Sequence, residues 1–185
     1  EQVDRVMVEY GFPMGPFRMI DLVGLDVIGW DRENSSGRTV QEILCEAGHW
    51  GQKTGSGYYD YSVKPPVPAQ SAMAAIERIS AQTGLVARHW TDEEILYELL
   101  DPVVNEAAWL IEEGIVYRAS DIDMALIAGY GWPVYRGGPA FWGDTVGLAG
   151  IVERLDQRMA AGEGISVSPF LRKTASESGR LVRDL

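Results

Sequence analysis

Tyr10-Gly11-Phe12-Pro13-Met14-Gly15-Pro16, followed by Asp21-Leu22-Val23-Gly24-Leu25, decides the fold, because the chain carries this phrase twice. The second copy reads Tyr130-Gly131-Trp132-Pro133, then Gly138-Pro139 and Asp144-Thr145-Val146-Gly147-Leu148. Each is preceded by an apolar stretch, Val3-Asp4-Arg5-Val6-Met7-Val8 in one and Ile122-Asp123-Met124-Ala125-Leu126-Ile127 in the other. The second copy carries a short insertion, Tyr135-Arg136-Gly137. An offset of about 120 residues is too long for a solenoid and marks a duplicated domain half.

The grammar of each copy is helical. A short apolar helix runs into Tyr-Gly, where glycine supplies the left-handed residue that ends it. The aromatic-Pro pair forces an extended exit, since a residue before proline avoids the helical region. Gly-Pro then starts a new helix, with proline in its first turn. The Asp-x-Val-Gly-Leu segment is expected to break that helix and open another, with Asp21 and Asp144 capping a helix N-terminus.

Outward from the repeats the pattern stays helical. Thr91-Asp92-Glu93-Glu94 is a capping box, followed by apolar residues at Ile95, Leu96, Leu99, Val103, Ala107 and Leu110. That helix ends at Gly114 and is expected to kink at Pro102. Ser120-Asp121 caps the next, and Ser168 caps a last one from Pro169 to about Thr174. Gly150 to Ala160 supplies a further helix. Ala69 to Gln82 reads as an amphipathic helix through Met73, Ile76 and Ile79. Strand patterns are limited to Tyr58-Tyr59-Asp60-Tyr61, too short to carry a sheet. The expected fold is therefore all-α, two duplicated helical halves with no Rossmann sheet. Residues 1–61 form the first repeat, shortened at its N-terminus because it lacks the counterpart of the Thr91–Glu113 helix. Residues 62–90 are a connecting helix and a linker with prolines at 65, 66 and 68, and residues 91–185 are the second repeat.

Composition narrows the function. The 185 residues carry a formal net charge of -11, which argues against a nucleic-acid partner, since phosphate neutralisation needs clustered Lys and Arg. No apolar run approaches the roughly 18 residues of a membrane span. The single Cys45 excludes an internal disulfide and fits a reducing, cytoplasmic setting; it reads as a half-buried thiol in a helix. His49 and His89 are isolated and no metal set is expected. The opening Glu1-Gln2-Val3-Asp4 is neither an initiator Met nor a signal peptide and reads as a cut inside a longer chain.

Two clusters invite chemistry. Gly51-Gln52-Lys53-Thr54-Gly55-Ser56-Gly57-Tyr58-Tyr59 misses the Walker spacing and has no helix after it; a tight turn seating the tyrosines is the better reading. No GxGxxG follows a strand, so the dinucleotide fingerprint is missing. Arg136-Gly137-Gly138-Pro139 reads two ways: a guanidinium at a helix start holding a phosphate or carboxylate, or an arginine tying loop carbonyls or pairing with Asp144. Asn105-Glu106 is a buried polar pair without chemistry.

These motifs resemble a known family. Phe12 to Phe17, Asp21 to Asp26 and Gln52-Lys53-Thr54-Gly55-x-Gly57-Tyr58-Tyr59-x-Tyr61 are similar to the C-terminal region of 3-hydroxyacyl-CoA dehydrogenases. Val104 to Gly114, Asp121-Ile122-Asp123 and Tyr130 to Pro139 look like the second helical repeat of the multifunctional fatty-acid oxidation enzymes. The resemblance implies a fold of the 6-phosphogluconate-dehydrogenase C-terminal-like type and NAD-dependent oxidation of (3S)-3-hydroxyacyl-CoA in β-oxidation. It places the catalytic His–Glu pair and the NAD loop in a separate Rossmann domain. This chain would then hold no catalytic, cofactor or metal residue and be inactive alone. Tyr97 stands where the family's substrate-orienting Asn would fall, so that role is not carried over. Phe12, Pro13, Met14 and Gly15 correspond to the segment lining the acyl pocket, and Arg136 joins them as a substrate-side candidate. The implied partners are the Rossmann domain, acyl-CoA and a second copy in a homodimer. Two alternatives stand beside this: a helical interaction or dimerisation module without catalysis, and the helical half of another NAD(P)-dependent hydroxy-acid dehydrogenase.

Overall fold

The chain is described by a computed structural model at residues 1–84, 86 and 88–182. It divides into two compact units, the first made of Glu1–Val8 and Met14–Trp90, the second of Glu9–Pro13 and the residues from Thr91 onward. The described residues form nine α-helices and one two-stranded ladder, so the all-α expectation holds.

The first unit contains α2 (Pro16–Val23), α3 (Val40–Glu46), α4 (Gln70–Thr83) and α1 (Gln2–Tyr10) apart from its last two residues. Gly15 precedes α2 in an extended conformation with proline next, as a helix start requires, and Gly24 closes it at φ 108°. Thr39 opens α3 with a full capping box to Glu42. The core is Leu25, Leu44, Cys45, Ala69 and Ala72, with Trp30, Trp50 and Tyr58 packed against it. Cys45 is 2% exposed rather than half-buried, and burial pushes its thiol up to about 11, which keeps it protonated and inert.

Two expectations fail in this unit. The proline-rich segment is not only a spacer: β2 (Val67–Pro68) pairs antiparallel with β1 (Tyr59–Asp60), and Arg18 donates to the Pro66 carbonyl. Proline is tolerated there because a two-residue ladder asks for few N–H donors. In α4 the buried face is Ala72 and Ala75, while Met73 and Ile76 stand 49% and 45% exposed. Alanine lets the α4 backbone approach α3 closely, so the small residues turn inward and the large ones outward.

The second unit holds α5 (Asp92–Glu112), α6 (Ala119–Tyr130), α7 (Pro139–Val146), α8 (Leu148–Ala160) and α9 (Pro169–Ser176). The Thr91 capping box is formed, with Glu94 accepting from the Thr91 N–H at 2.7 Å. The helix continues through Pro102. Proline has no N–H to give the Glu98 carbonyl, and that carbonyl instead accepts from Arg158 Nη1 at 2.9 Å. α6 begins at Ala119 after an extended Arg118, without a side-chain cap, so the helix starts two residues ahead of the Ser120-Asp121 cap expected. Ser168 caps α9 as expected, accepting from the Leu171 N–H. The two Gly-Leu breaks differ: Leu148 opens α8 at once, whereas Leu25 enters a run of turns until Thr39. The segment after Leu148 is rich in good helix formers; that after Leu25 holds Gly29, Asp31, Asn34 and Gly37.

Candidate functional site

Four acids at corresponding places of the two repeats, Asp4, Asp21, Asp123 and Asp144, are each committed to the backbone. Asp4 of α1 accepts from the Phe17 and Arg18 N–H groups at 2.9 and 3.2 Å. Asp123 of α6 does the same for α7, accepting from Ala140 and Phe141 at 2.7 and 3.2 Å. Both clasps tie one helix to the N-terminus of the next, where unpaired N–H groups and the helix dipole favour a carboxylate. Glycine precedes the proline in each copy because a Cβ at Gly15 would fall on the Asp4 backbone and one at Gly138 on the Asp123 side chain.

Asp21 and Asp144 form a second pair of clasps, and here the expected helix capping is overturned. Both sit in the later part of their own helices and reach loops far along the chain. Asp21 accepts from the Tyr58 and Tyr59 N–H groups at 2.9 Å each and from the Tyr61 hydroxyl at 3.0 Å. Asp144 accepts from Leu181 and Val182 at 2.8 and 2.9 Å. The N-terminal capping belongs to Asp4 and Asp123, which stand six and seven residues ahead of Tyr10-Gly11 and Tyr130-Gly131. That recurrence was the signal available in the sequence. The glycine-rich segment is the tight turn expected: Gly57 leaves no room for a Cβ beside the Asp21 carboxylate, and Tyr59 donates to Asp4 at 2.8 Å.

Burial dominates the electrostatics. It raises Asp21 and Asp144 above the usual carboxylate range, against the pull of their N–H donors. Burial likewise raises the Tyr59 and Tyr61 hydroxyls, helped by the neighbouring Asp4 and Asp21 charges. Asp123 is pushed from 3.8 up to about 6, first by burial and then by Asp144. Its folded value lies above the unfolded one, so its stabilising contribution is complete below pH about 4 and is lost as pH rises through about 6. The thermal midpoint of the native chain, measured against Asp123→Asn, is therefore expected to fall across that window. A constant difference between the two proteins would contradict it.

A polar seam joins α5 to its neighbours. Arg154 grips the buried Asp101 through Nε and Nη2 at 2.6 and 3.0 Å and lies 4.0 Å from the Tyr97 ring centroid. Arg158 pairs with Glu98 and Glu163 at 2.9 and 2.7 Å. Asn105 donates to the Ser166 carbonyl and accepts from the Ser168 N–H, both at 2.9 Å. Glu112 accepts from the Ser168 hydroxyl at 2.9 Å and the Phe170 N–H at 3.2 Å. Asn105 thus fastens the approach to α9, as a structural residue would.

The substrate-side candidates fall into two sets. Phe12, Pro13 and Arg136 belong to the second unit. Phe12 meets Trp132 edge-on at 5.4 Å and stacks on Tyr10 at 6.1 Å. Arg136 is exposed, with its guanidinium 4.5 Å from the Tyr10 ring centroid. Among the described residues its contacts are the Tyr10 and Tyr135 rings, in place of the loop carbonyls or Asp144 of the other reading. A cation–π contact of this kind leaves guanidinium N–H donors facing solvent. Met14 and Gly15 belong to the first unit; Met14 is 39% exposed, whereas Gly15 is buried against Asp4.

Duplicated helical halves, each with the same two carboxylate clasps, define the class that comparison supplies. Residues 1–61 match the family model described as 3-hydroxyacyl-CoA dehydrogenase, C-terminal domain, so this stretch of the chain is similar to that domain. Among its relatives is the peroxisomal bifunctional enzyme of Homo sapiens, 35% identical over 96% of this chain and 28% of the relative. A peroxisomal fatty acid beta-oxidation multifunctional protein of Arabidopsis thaliana is 38% identical over 83% of this chain and 23% of its own length. Among solved structures, the dehydrogenase part of multifunctional enzyme 1 from C. elegans superposes with a TM-score of 0.70 at 30% identity, covering 94% of this chain and 41% of that one. The chain therefore spans less than a third of the length of these curated relatives.

Proposed function

We propose that this chain is the substrate-side helical part of an NAD-dependent (3S)-3-hydroxyacyl-CoA dehydrogenase, inactive by itself. Its work is to hold the acyl-CoA and to pair with a second copy, while a separate nucleotide-binding domain carries NAD and the hydride transfer. The reading rests on the family match over residues 1–61. It is supported by the fate of the acids in the repeats: Asp4, Asp21, Asp123 and Asp144 all accept backbone N–H groups, which makes them struts. We propose Phe12, Pro13, Met14 and Arg136 as the groups that meet the substrate, with Gly15 setting the turn that presents Met14. Arg136 supplies the charge: its free donors suit the phosphate or carbonyl oxygens of a coenzyme A thioester. The compartment is the cytoplasm or, as the relatives' names have it, the peroxisome. Among the described residues no helix is long and apolar enough to cross a membrane.

The test is NAD-dependent oxidation of 3-hydroxybutyryl-CoA, followed by NADH absorbance. The chain alone is expected to give no rate, and a polypeptide that also carries the nucleotide-binding domain to turn over. In the latter, Arg136→Ala is expected to raise KM about tenfold with kcat little changed, as removal of a ground-state binding contact does. Turnover by the chain alone would refute the division of labour. An unchanged KM would refute the role of Arg136.

A further inference from the structure

We propose that Tyr135 is a positioning residue of the substrate side: it aims the Arg136 guanidinium by closing the insertion of the second copy over Tyr10. The role rests on the reading of Arg136 as the charged group that meets the substrate.

The two Tyr-Gly-aromatic-Pro phrases pack on one another within the second unit, each glycine seated against the proline of the other copy. A Cβ at Gly11 would meet Pro133 Cγ at 3.0 Å, and one at Gly131 would meet Pro13 Cγ at 2.9 Å. The aromatic residues that follow the glycines, Phe12 and Trp132, meet edge-on at 5.4 Å. So far the two copies are treated alike. Their tyrosines are not: Tyr10 is 9% exposed and its counterpart Tyr130 is 79% exposed. Tyr135 and Arg136 lie over Tyr10, and only the second copy carries that insertion.

The insertion is a fixed turn. Val134–Arg136 is one turn of 3₁₀ helix, in which the Arg136 N–H donates to the Pro133 carbonyl at 2.9 Å and the Gly137 N–H to the Val134 carbonyl at 3.2 Å. Gly137 ends the turn at φ 80°, and a Cβ there would fall on the Phe141 ring, so only glycine suits the place. From this turn the Tyr135 hydroxyl donates to the Tyr10 carbonyl at 3.1 Å. The phenol runs so close to the chain reversal that a Cβ at Gly11 would fall on its oxygen. Arg136 then lies between two rings, its guanidinium 4.5 Å from the Tyr10 centroid and 5.3 Å from that of Tyr135.

This arrangement bears on binding through entropy. A long exposed side chain loses rotamer freedom when it grips a ligand, and that loss weakens affinity. A guanidinium already held by two rings loses less. Tyr135 supplies one of those rings, and its hydroxyl ties the turn to the residue that supplies the other. Its effect on substrate is therefore exerted through Arg136 and should vanish when Arg136 is absent.

The test is a double-variant cycle in the polypeptide that also carries the nucleotide-binding domain, with 3-hydroxybutyryl-CoA as substrate and NADH absorbance as the readout. Tyr135 is 70% exposed, so the fold should tolerate its replacement. Tyr135→Leu is expected to raise KM about fivefold with kcat little changed, from loss of a cation–π platform and one hydrogen bond. Tyr135→Phe keeps the ring and should raise KM only about twofold. In the Arg136→Ala background, Tyr135→Leu should add less than about twofold, because residues that share one contact are not additive. A second readout needs no turnover. In the 185-residue chain, ring currents should shift the Arg136 Hδ resonances upfield in the NMR spectrum. Tyr135→Leu should return them toward the values of free arginine while helix content by circular dichroism stays constant. Three results would overturn the proposal: an unchanged KM in Tyr135→Leu, the same rise in KM when Arg136 is absent, or Arg136 resonances that do not move. A parent polypeptide without turnover would instead sink the enzymatic reading, and the resonances would still decide whether Tyr135 holds Arg136.

Discussion

Asp21→Ala is expected to lower the unfolding free energy by about 4 kcal/mol, from the cost of leaving buried donors unpaired. Asp21 is fully buried and accepts three hydrogen bonds. Two of them come from consecutive N–H groups of the Tyr58-Tyr59 segment. Alanine leaves both donors without an acceptor and opens a void where the carboxylate stood. Tyr61 is only half buried and its hydroxyl can turn to water, so it adds less. Asp21→Asn keeps one oxygen and should lose about half as much. Urea unfolding of the two variants beside the parent chain measures this directly. Because burial raises the Asp21 carboxyl, its contribution to stability is fullest in acid and falls as pH rises through the raised value. A loss within about 1 kcal/mol for Asp21→Ala would mean that Tyr58 and Tyr59 find other partners.

The second large effect belongs to the α5–α8 seam. Arg154→Met should cost about 3–5 kcal/mol, the usual penalty for stripping a buried charge of its partner. Asp101 is 2% exposed and is held bidentately. The guanidinium is one-third exposed, and its pKa is raised by the hydrogen bond to Asp101. Burial already raises Asp101, with Arg154 pulling it back. Without Arg154 the carboxyl rises further, so the variant should be least stable at neutral pH and recover as acid protonates Asp101. Adding Asp101→Leu should restore much of the loss, because an apolar pair of similar volume replaces two desolvated charges. If the double variant is no better than Arg154→Met, the cost lies in the lost packing on Tyr97 instead.

How far the sequence could be read follows from where its signals are local. The Gly-Pro helix starts, the Thr91 box and the Ser168 cap depend on neighbours within a turn, and they formed as expected. The duplicated phrase carried the architecture, since Gly11 and Gly131 each follow the last residue of a helix at positive φ, 125° and 71°. What could not be read depends on which face meets which partner. The α4 stripe was assigned by residue size, and the inward face proved to be Ala72 and Ala75 because α3 approaches closely. Asp21 and Asp144 were recognised as architectural, but their partners lie near 37 positions away, beyond any local rule. The proline-rich run was read as a spacer since a two-residue ladder leaves no periodicity. Among the substrate-side candidates, Arg136 could be noticed but not placed, because its neighbour Tyr10 comes from the other copy of the repeat.

The central claim is that this helical chain belongs to the substrate side of the reaction and leaves the nucleotide to another domain. Calorimetric titration with NADH, and separately with acetoacetyl-CoA, tests it most directly, with circular dichroism confirming that the chain is helical in the cell. The expected result is no heat with NADH and weak, saturable binding of acetoacetyl-CoA that Arg136→Ala weakens. Tight binding of NADH by the chain itself would contradict the account.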